Sequence, residues 1–533
     1  MPDSTNVRDV RNLADLVRRS AAAGPTRPAL RWHDRVITWG ELDAQVDAVA
    51  VGLSGQVHAG ALPARVAIAL PNVGEFAPAY FGTLRAGLVA VPVNPGYTGR
   101  ELRQVLADSA ASVLIGTPAV LAALGTAGLD GPGTIAPDLV QYSIGTPAGD
   151  AHAFASLIDP VSRVEPVEPT TGGEDLAVLL YTSGTVGSPK GAMLSHRALL
   201  ANHSQLAALR PAPVGPDDVL LLCVPLCHSY GLNSGLGAIA YHGACGVLAE
   251  RFDPADALDL ISQHGVTAVI GVPPMIQAWS MMGEAAVEAF ARVRIVVSGA
   301  APLEPGAARR FSAATGRVVH EGYGLTETAP VLTSTLASPT PKPGSIGRAI
   351  PGVEIKLVDA SGGEVPLNDD DFDDYAPGTP GTDPGELVVR GANLFSGYWP
   401  DGRGGPGEGG WWATGDVAYA DADGDLFLVD RRRELILVSG FNVYPHEVEA
   451  VLNAHPAVAD SAALGVPHPY TGQTVKAYVV RSPDLDVTAD ELIAWAERNL
   501  ARFKCPTSVE FLSALPYSAT GKVRKAALRE GVA

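Results

Sequence analysis

Residues 175–191 read DLAVLLYTSGTVGSPKG: a short apolar run, then a turn packed with hydroxyls, glycines and one lysine. An unbroken apolar run of this length, bounded by turn residues, predicts a strand buried on both faces of a parallel sheet. The turn sets Thr182, Ser183 and Thr185 among Gly184 and Gly187 and closes on Lys190. Glycine lets a backbone bend close to a phosphate, hydroxyl and N–H groups donate to its oxygens, and Lys190 adds a point charge. The pattern is not GxxxxGK[ST], so a Walker-type grip on the nucleotide is excluded.

The same strand texture recurs on both sides. ARVAIALP (64–71), GLVAVPVN (87–94), ASVLIGT (111–117), DVLLLCVPL (218–226), VTAVIGVP (266–273) and RIVVSGA (294–300) are strand-like, with amphipathic stretches such as EFAPAYFGTLRAG (75–87) and RELRQVLADSA (100–110) among them. That alternation predicts an α/β fold of βαβ units, with largely parallel sheets and helices on their faces. Past residue 344 the sequence turns β-rich and turn-rich, which predicts a small barrel or distorted sheet. It is interrupted by an acidic Pro/Gly-rich stretch at 368–385 and a Gly-rich one at 400–410, both expected as exposed loops. Residues 434–533 read as a compact α+β unit.

The chain has 533 residues, of which 47% are hydrophobic and 18% charged, enough apolar material for a large core. Its formal charge of −19 argues against nucleic acid or an anionic membrane surface as partner, so an anionic ligand needs a local device. Four cysteines in this length are not a disulfide framework, and a cytoplasmic setting is expected. The N-terminal residues lack the apolar core of a signal peptide, and no apolar run approaches the ~20 residues of a membrane span.

Three further stretches carry chemistry. In EGYGLTET (321–328), Gly322 and Gly324 allow close approach, Tyr323 offers a flat face to a base, Thr326 a hydroxyl, and Glu327 a hard oxygen ligand for Mg²⁺; Glu321 opens the stretch. In WATGD (412–416), Asp416 can accept both hydroxyls of a ribose, and Arg431 in DRRRE (430–434) can reach ribose or phosphate oxygens. Near the end, PYSATGKVRK (516–525) carries Lys522.

Together, in this order and spacing, the four stretches resemble the adenylate-forming superfamily: acyl-CoA synthetases, aryl-CoA ligases, luciferases and the adenylation domains of peptide synthetases. The resemblance covers about residues 10–530 and departs from the usual pattern at Val186, where a second Thr is common. It implies an N-terminal domain (1–432) of two α/β-sheet subdomains plus a β-barrel-like subdomain, and a mobile α+β C-terminal domain (433–533). It implies that a carboxylate attacks the α-phosphorus of ATP, releasing pyrophosphate, and that a thiol, usually of coenzyme A, then displaces AMP. Thr182, Ser183, Gly184, Thr185, Gly187 and Lys190 would hold the β/γ-phosphates. Ser298, Gly299, Ala300 and Ala301 would enclose adenine with Glu321, Gly322, Tyr323 and Gly324. Thr326 would meet the α-phosphate, Glu327 the Mg²⁺, and Asp416 and Arg431 the ribose. Lys522 would lie between the substrate carboxylate and the α-phosphate. Arg433 would be the hinge, and Ser439, Gly440 and Phe441 would border the pantetheine channel.

PLCHSYG (225–231) resembles the family's substrate-side motif, with His228 beside the carboxylate. Tyr230, Ser234, Val272, Pro273 and Met275 are expected as pocket walls. From Leu226 to Gly243 the potentially cationic side chains are His228 and His242, and Asp and Glu are absent. A dicarboxylate would lack a partner for its distal charge, and an amino acid one for its ammonium. A medium- or long-chain fatty acid is therefore expected, with an aryl acid second. Free coenzyme A is the expected acceptor, while a separate acyl carrier protein, a homodimer and a catalytically silent nucleotide-binding homologue stay open.

Overall fold

The computed structural model describes residues 10–55, 63–126, 135, 138–147, 149–158, 165–182, 189–301, 303, 305–359, 362–366, 381–429, 436–439, 441–443, 445–483, 485–516 and 528. Ser183, Gly184, Thr185, Gly187, Arg431, Arg433, Gly440 and Lys522 lie outside the described residues, as does most of the acidic stretch at 368–385.

Two large sheets carry the chain's N-terminal part. The seven-stranded sheet runs in the order His152–Ala153, Val140–Ser143, Val113–Gly116, Arg65–Ala69, Val89–Pro92, Leu176–Thr182, Lys190–Ser195. It is parallel except at its last strand, which pairs antiparallel with Leu176–Thr182 in the register Thr182↔Lys190. The hydroxyl-rich turn therefore joins two antiparallel strands, where βα alternation alone predicts a strand-to-helix turn. The chain stays extended through Lys190–Ser195, and the helix His196–Ala207 begins only where the Ser195 side chain accepts from the Ala198 N–H and caps it. The nine-stranded sheet runs Arg348–Ala349, Val331–Ser334, Val319–Gly324, Ile295–Ser298, Ala268–Gly271, Val219–Leu222, Cys245–Leu248, Pro28–Trp32, Arg35–Thr38, with a parallel centre and antiparallel ends. Every strand predicted from an apolar run is present, because a strand covered by helices on both faces must be apolar throughout. Ala67, Val91, Ile115, Val178, Val269 and Val296 all have no exposed surface.

The turn-rich part folds as an antiparallel five-stranded sheet in the order Glu364–Val365, Val353–Val358, Gly385–Gly391, Trp412–Ala420, Leu426–Val429, around its own small core of Ile346, Leu357, Leu387, Ala418, Ala420 and Leu426. Its two end strands are not paired with each other, so the barrel-like unit is open at both ends among the described residues. Beyond it, Ile436–Val438, Phe441–Val443, Val458–His468, Gly472–Arg481 and Pro506–Phe511 make a fourth sheet. The helices Pro445–Asn453 and Ala489–Asn499 accompany this sheet. Their core, from Ile436 to Cys505, is a separate apolar cluster.

Candidate active site

Ligands of open parallel sheets bind beyond the carboxyl ends of the strands, where the connections diverge. Both large sheets deliver their strand ends to one cavity of about 840 Å³. Pro92 ends one strand and Val93 and Asn94 follow it, Tyr181 and Thr182 end the next, and Cys227, His228, Ser229 and Tyr230 come after Val219–Leu222. Pro273 and Pro274 follow Ala268–Gly271, Gly299, Ala300 and Ala301 follow Ile295–Ser298, and Glu321, Gly322, Tyr323 and Gly324 close their own strand. The C-terminal unit completes the wall with Leu437, Phe441, Thr471, Gly472, Gln473, Phe503 and Lys504.

Local geometry at these strand ends is tight. Ala300 sits in the left-handed region at φ 66°, a conformation that persists only where the surroundings over-determine it. A side chain at Gly324 would place its Cβ 1.8 Å from the Pro330 carbonyl oxygen, so only glycine fits. From Tyr230 to Gly237 the chain winds as a π-helix, a wide turn found mostly at functional sites. Its Gly231 lies against the carbonyls of Val224 and Pro225, with 2.3 Å left for a Cβ beside the latter.

Thr326 and Glu327 line the cavity together, and the Thr326 hydroxyl is 3.4 Å from that of Ser229. Glu327 is buried, and its carboxylate accepts a 2.7 Å hydrogen bond from the Tyr398 hydroxyl. Lys190 stands 5.3 Å over the Tyr398 ring, so Tyr398 touches both the lysine and the acid. Among the described residues no group of three or more His, Cys, Asp or Glu is placed to hold a metal ion. A single carboxylate beside a hydroxyl fits Mg²⁺, which keeps waters and substrate phosphates as its other ligands. Asp416 is buried and accepts a 2.6 Å hydrogen bond from the Tyr323 hydroxyl.

The Nδ1 of His228 accepts the Tyr230 backbone N–H at 3.2 Å. Burial pulls the ring's pKa down to about 4. The imidazole is therefore neutral at pH 7, with its proton on Nε2 as a donor. Burial also keeps His203 and His242, both in the cavity wall, neutral, at about 3 and about 4. The Cys227 thiol is pushed up to about 12 by burial and is no nucleophile at pH 7.

Of the other expected residues, Pro273, Tyr230 and Ser234 line the cavity, while Val272 and Met275 do not. Both are buried in the core, with Met275 Sδ 3.6 Å from Cys223 Sγ. Their side chains lie outside the cavity wall because the helix Pro273–Trp279 presents Pro273, Pro274 and Gln277 to it instead. Ser298, Lys190, Asp416 and Ser439 are also absent from the wall itself. Sequence reasoning missed Asn94, Tyr97, His203, Phe503 and Lys504, all of which line it. Phe503 and Lys504 lie in the one-turn 3-10 helix Arg502–Lys504 between a helix and a strand, and neither apolar periodicity nor a glycine marks them.

A family model described as "AMP-binding enzyme" matches residues 17–399, and a second, "AMP-binding enzyme C-terminal domain", matches residues 447–522. The chain belongs to the AMP-binding enzyme family. Similar relatives are a long-chain-fatty-acid–CoA ligase of Escherichia coli O157:H7, 34% identical over 99% of this chain and 96% of that one, and a feruloyl-CoA synthase of an Amycolatopsis species, 35% identical over 96% and 97%. An o-succinylbenzoate CoA synthetase of Bacillus subtilis, solved with a product analogue, superposes with a TM-score of 0.80 at 26% identity over 98% of each chain. This AMP-binding enzyme is an AMP-forming acyl-CoA synthetase that uses ATP, Mg²⁺ and coenzyme A. Among its described residues no helix is long and apolar enough to cross a membrane.

Proposed function

We propose that this acyl-CoA synthetase activates a medium- or long-chain fatty acid and passes the acyl group to free coenzyme A in the cytoplasm. One observation carries the choice of acid. Among the described residues lining the cavity, Lys504 is the sole Lys or Arg, and it is already paired with Glu101 and Glu447. A second carboxylate or a phosphate on the acid would be buried without a partner, which is costly, whereas an alkyl chain meets Leu206, Pro213, Val214, Ala238 and Val331. The similarity to the E. coli long-chain-fatty-acid–CoA ligase supports the same reading.

The proposed roles rest on the geometry for the described residues and on the resemblance of the motifs for Arg431, Lys522 and the turn at 183–188. The acid's carboxylate meets the α-phosphorus between Thr326 and the Nε2–H of His228. Glu327 holds Mg²⁺, which when bound neutralises phosphate charge. Lys190, Thr182 and the turn at 183–188 take the outgoing pyrophosphate, Asp416 and Arg431 the ribose, and Tyr323 the base. Lys522 supplies the positive charge at the reacting oxygens. No protein nucleophile is required, so positioning and preorganised donors carry the rate. In the second half-reaction the thiol attacks the acyl carbonyl and AMP leaves. The superposition with the synthetase bearing a product analogue supports the present arrangement, with Phe441 and Phe503 at the cavity, as the one used for that half. A functional division near residue 433, with Arg433 as hinge, belongs to the same proposal.

A second reading is an aryl acid. The Tyr230 hydroxyl and Ser234 Oγ are buried without a hydrogen-bond partner among the described residues, as donors for a ring substituent would be, and the Amycolatopsis relative is named for such an acid. Pyrophosphate release, measured with coenzyme A across straight-chain acids and hydroxycinnamates, tests both. The fatty-acid reading requires the highest kcat/KM on an alkyl acid, and preference for a hydroxycinnamate overturns it.

A further inference from the structure

Lys504 is 3% exposed, the most buried Lys among the described residues. Its Nζ lies 2.8 Å from Glu447 Oε1, in the first turn of Pro445–Asn453, and 3.4 Å from Glu101 Oε1, in the helix Gly99–Ser109 on the other side of the interface. The ammonium also stands 4.8 Å over the ring of Tyr97. Beside it, Arg100 donates a 2.6 Å hydrogen bond to Asn499 across the same interface. One charge thus answers two carboxylates, one from each part of the chain. Without it, the two acids would face each other in a dry contact, an arrangement that costs more than the pair itself contributes.

The placement has a consequence for the cavity. Phe503, next to Lys504 in the chain, stacks on Phe441 with ring centroids 4.5 Å apart, and both rings line the wall. Anchoring Lys504 to Glu101 therefore fixes that aromatic pair at the reacting centre. The contact to Glu447 is internal to the C-terminal unit, whereas the contact to Glu101 crosses to the helix Gly99–Ser109.

We propose that Lys504 is a positioning residue for thiol transfer: its pairing with Glu101 holds the C-terminal unit with Phe441 and Phe503 against the cavity, and adenylate formation does not draw on it. This rests on the two-step reading proposed above.

The test separates the half-reactions in the full-length enzyme. Pyrophosphate release from ATP, Mg²⁺ and dodecanoate without coenzyme A reports the first. Dodecanoyl-CoA formation from supplied dodecanoyl-AMP and coenzyme A reports the second. Lys504→Met is expected to slow the second by about tenfold or more and leave the first within about twofold. Glu101→Gln, which keeps a side chain able to cap the helix at Thr98 while removing the charge, should reproduce the split, and Lys504→Arg should restore most of the loss. A parallel fall in both halves, an unchanged second half, or an Arg variant as slow as Met overturns the assignment. A wild-type enzyme that releases no pyrophosphate with any acid fails the proposed function instead, a result read before any variant is made.

Discussion

Glu321 stands at the entrance of the EGYGLTET stretch with a pKa unlike an ordinary carboxyl. Burial pushes it up to about 7 from 4.5, against the pull of the Gly344 and Leu303 backbone N–H groups. A folded state that holds its proton longer than the unfolded chain is favoured fully below the unfolded value, and the advantage is lost as pH rises through about 7. Glu321→Gln removes that liability. Its melting temperature should overtake wild type by a widening margin from pH 5 to pH 8, read by scanning calorimetry, and a margin independent of pH would sink the argument. His228 behaves oppositely. Because burial holds it neutral down to about pH 4, kcat/KM should show no limb near 6.5 that disappears in His228→Ala. The same variant should lose roughly 10²-fold in kcat/KM, since it removes a preorganised donor. His228→Asn, which keeps a neutral donor, should recover part of that loss.

The π-helix from Tyr230 to Gly237 shows what an element contributes beyond its residues. Its extra width lets the chain pass against the carbonyls of Val224 and Pro225 while Tyr230 and Ser234 face the cavity. Gly231→Ala would drive a Cβ to 2.3 Å from the Pro225 oxygen, so a loss of roughly 1–3 kcal/mol is expected in urea unfolding, together with a raised KM for the acid. An unchanged midpoint and KM would show that the turn adapts. This element also marks the limit of what the sequence disclosed. The strands were legible because two-sided burial demands runs such as VLLL and AVIG, a local signal. YGLNSGLG has no such period, since its glycines answer carbonyls and a histidine from other segments. At the site, Tyr323, Thr326, Glu327 and His228 were legible because each sits in a short stretch of distinctive chemistry. Val272 and Met275 were assigned to the pocket from apolar character alone, which does not distinguish a cavity wall from the core behind it. Lys504 and Tyr97 were invisible because their importance comes from a contact across some 400 positions.

At the scale of the molecule, two chemically different attacks involve one carboxyl group: its oxygen attacks the α-phosphorus of ATP, and a thiol then attacks its carbon. The first needs positive charge where the carboxylate approaches the α-phosphorus. The second needs an open path for a thiol and walls that exclude water. The cavity as it stands presents Leu437, Phe441 and Phe503 beside the uncharged Thr471 and Gln473 from the C-terminal unit, a border suited to the second demand. The one lysine among its described lining residues, Lys504, is paired with Glu101 and Glu447, so it does not serve the first. The charge for adenylation is therefore expected from Lys522, on the strength of its place in PYSATGKVRK. Lys522→Ala should lower pyrophosphate release by ~10²–10³-fold. Acyl-CoA formation from supplied acyl-AMP should stay within a few fold of wild type, because pyrophosphate has by then left and the attack has moved from phosphorus to the acyl carbon. Lys504→Met is expected to do the reverse. Assayed side by side, the two variants form a crossed pair that general damage to the fold does not mimic, since damage lowers both halves in each protein. If Lys522→Ala leaves pyrophosphate release intact, the adenylating charge comes from elsewhere, and Lys190 beside Tyr398 is the next residue to remove.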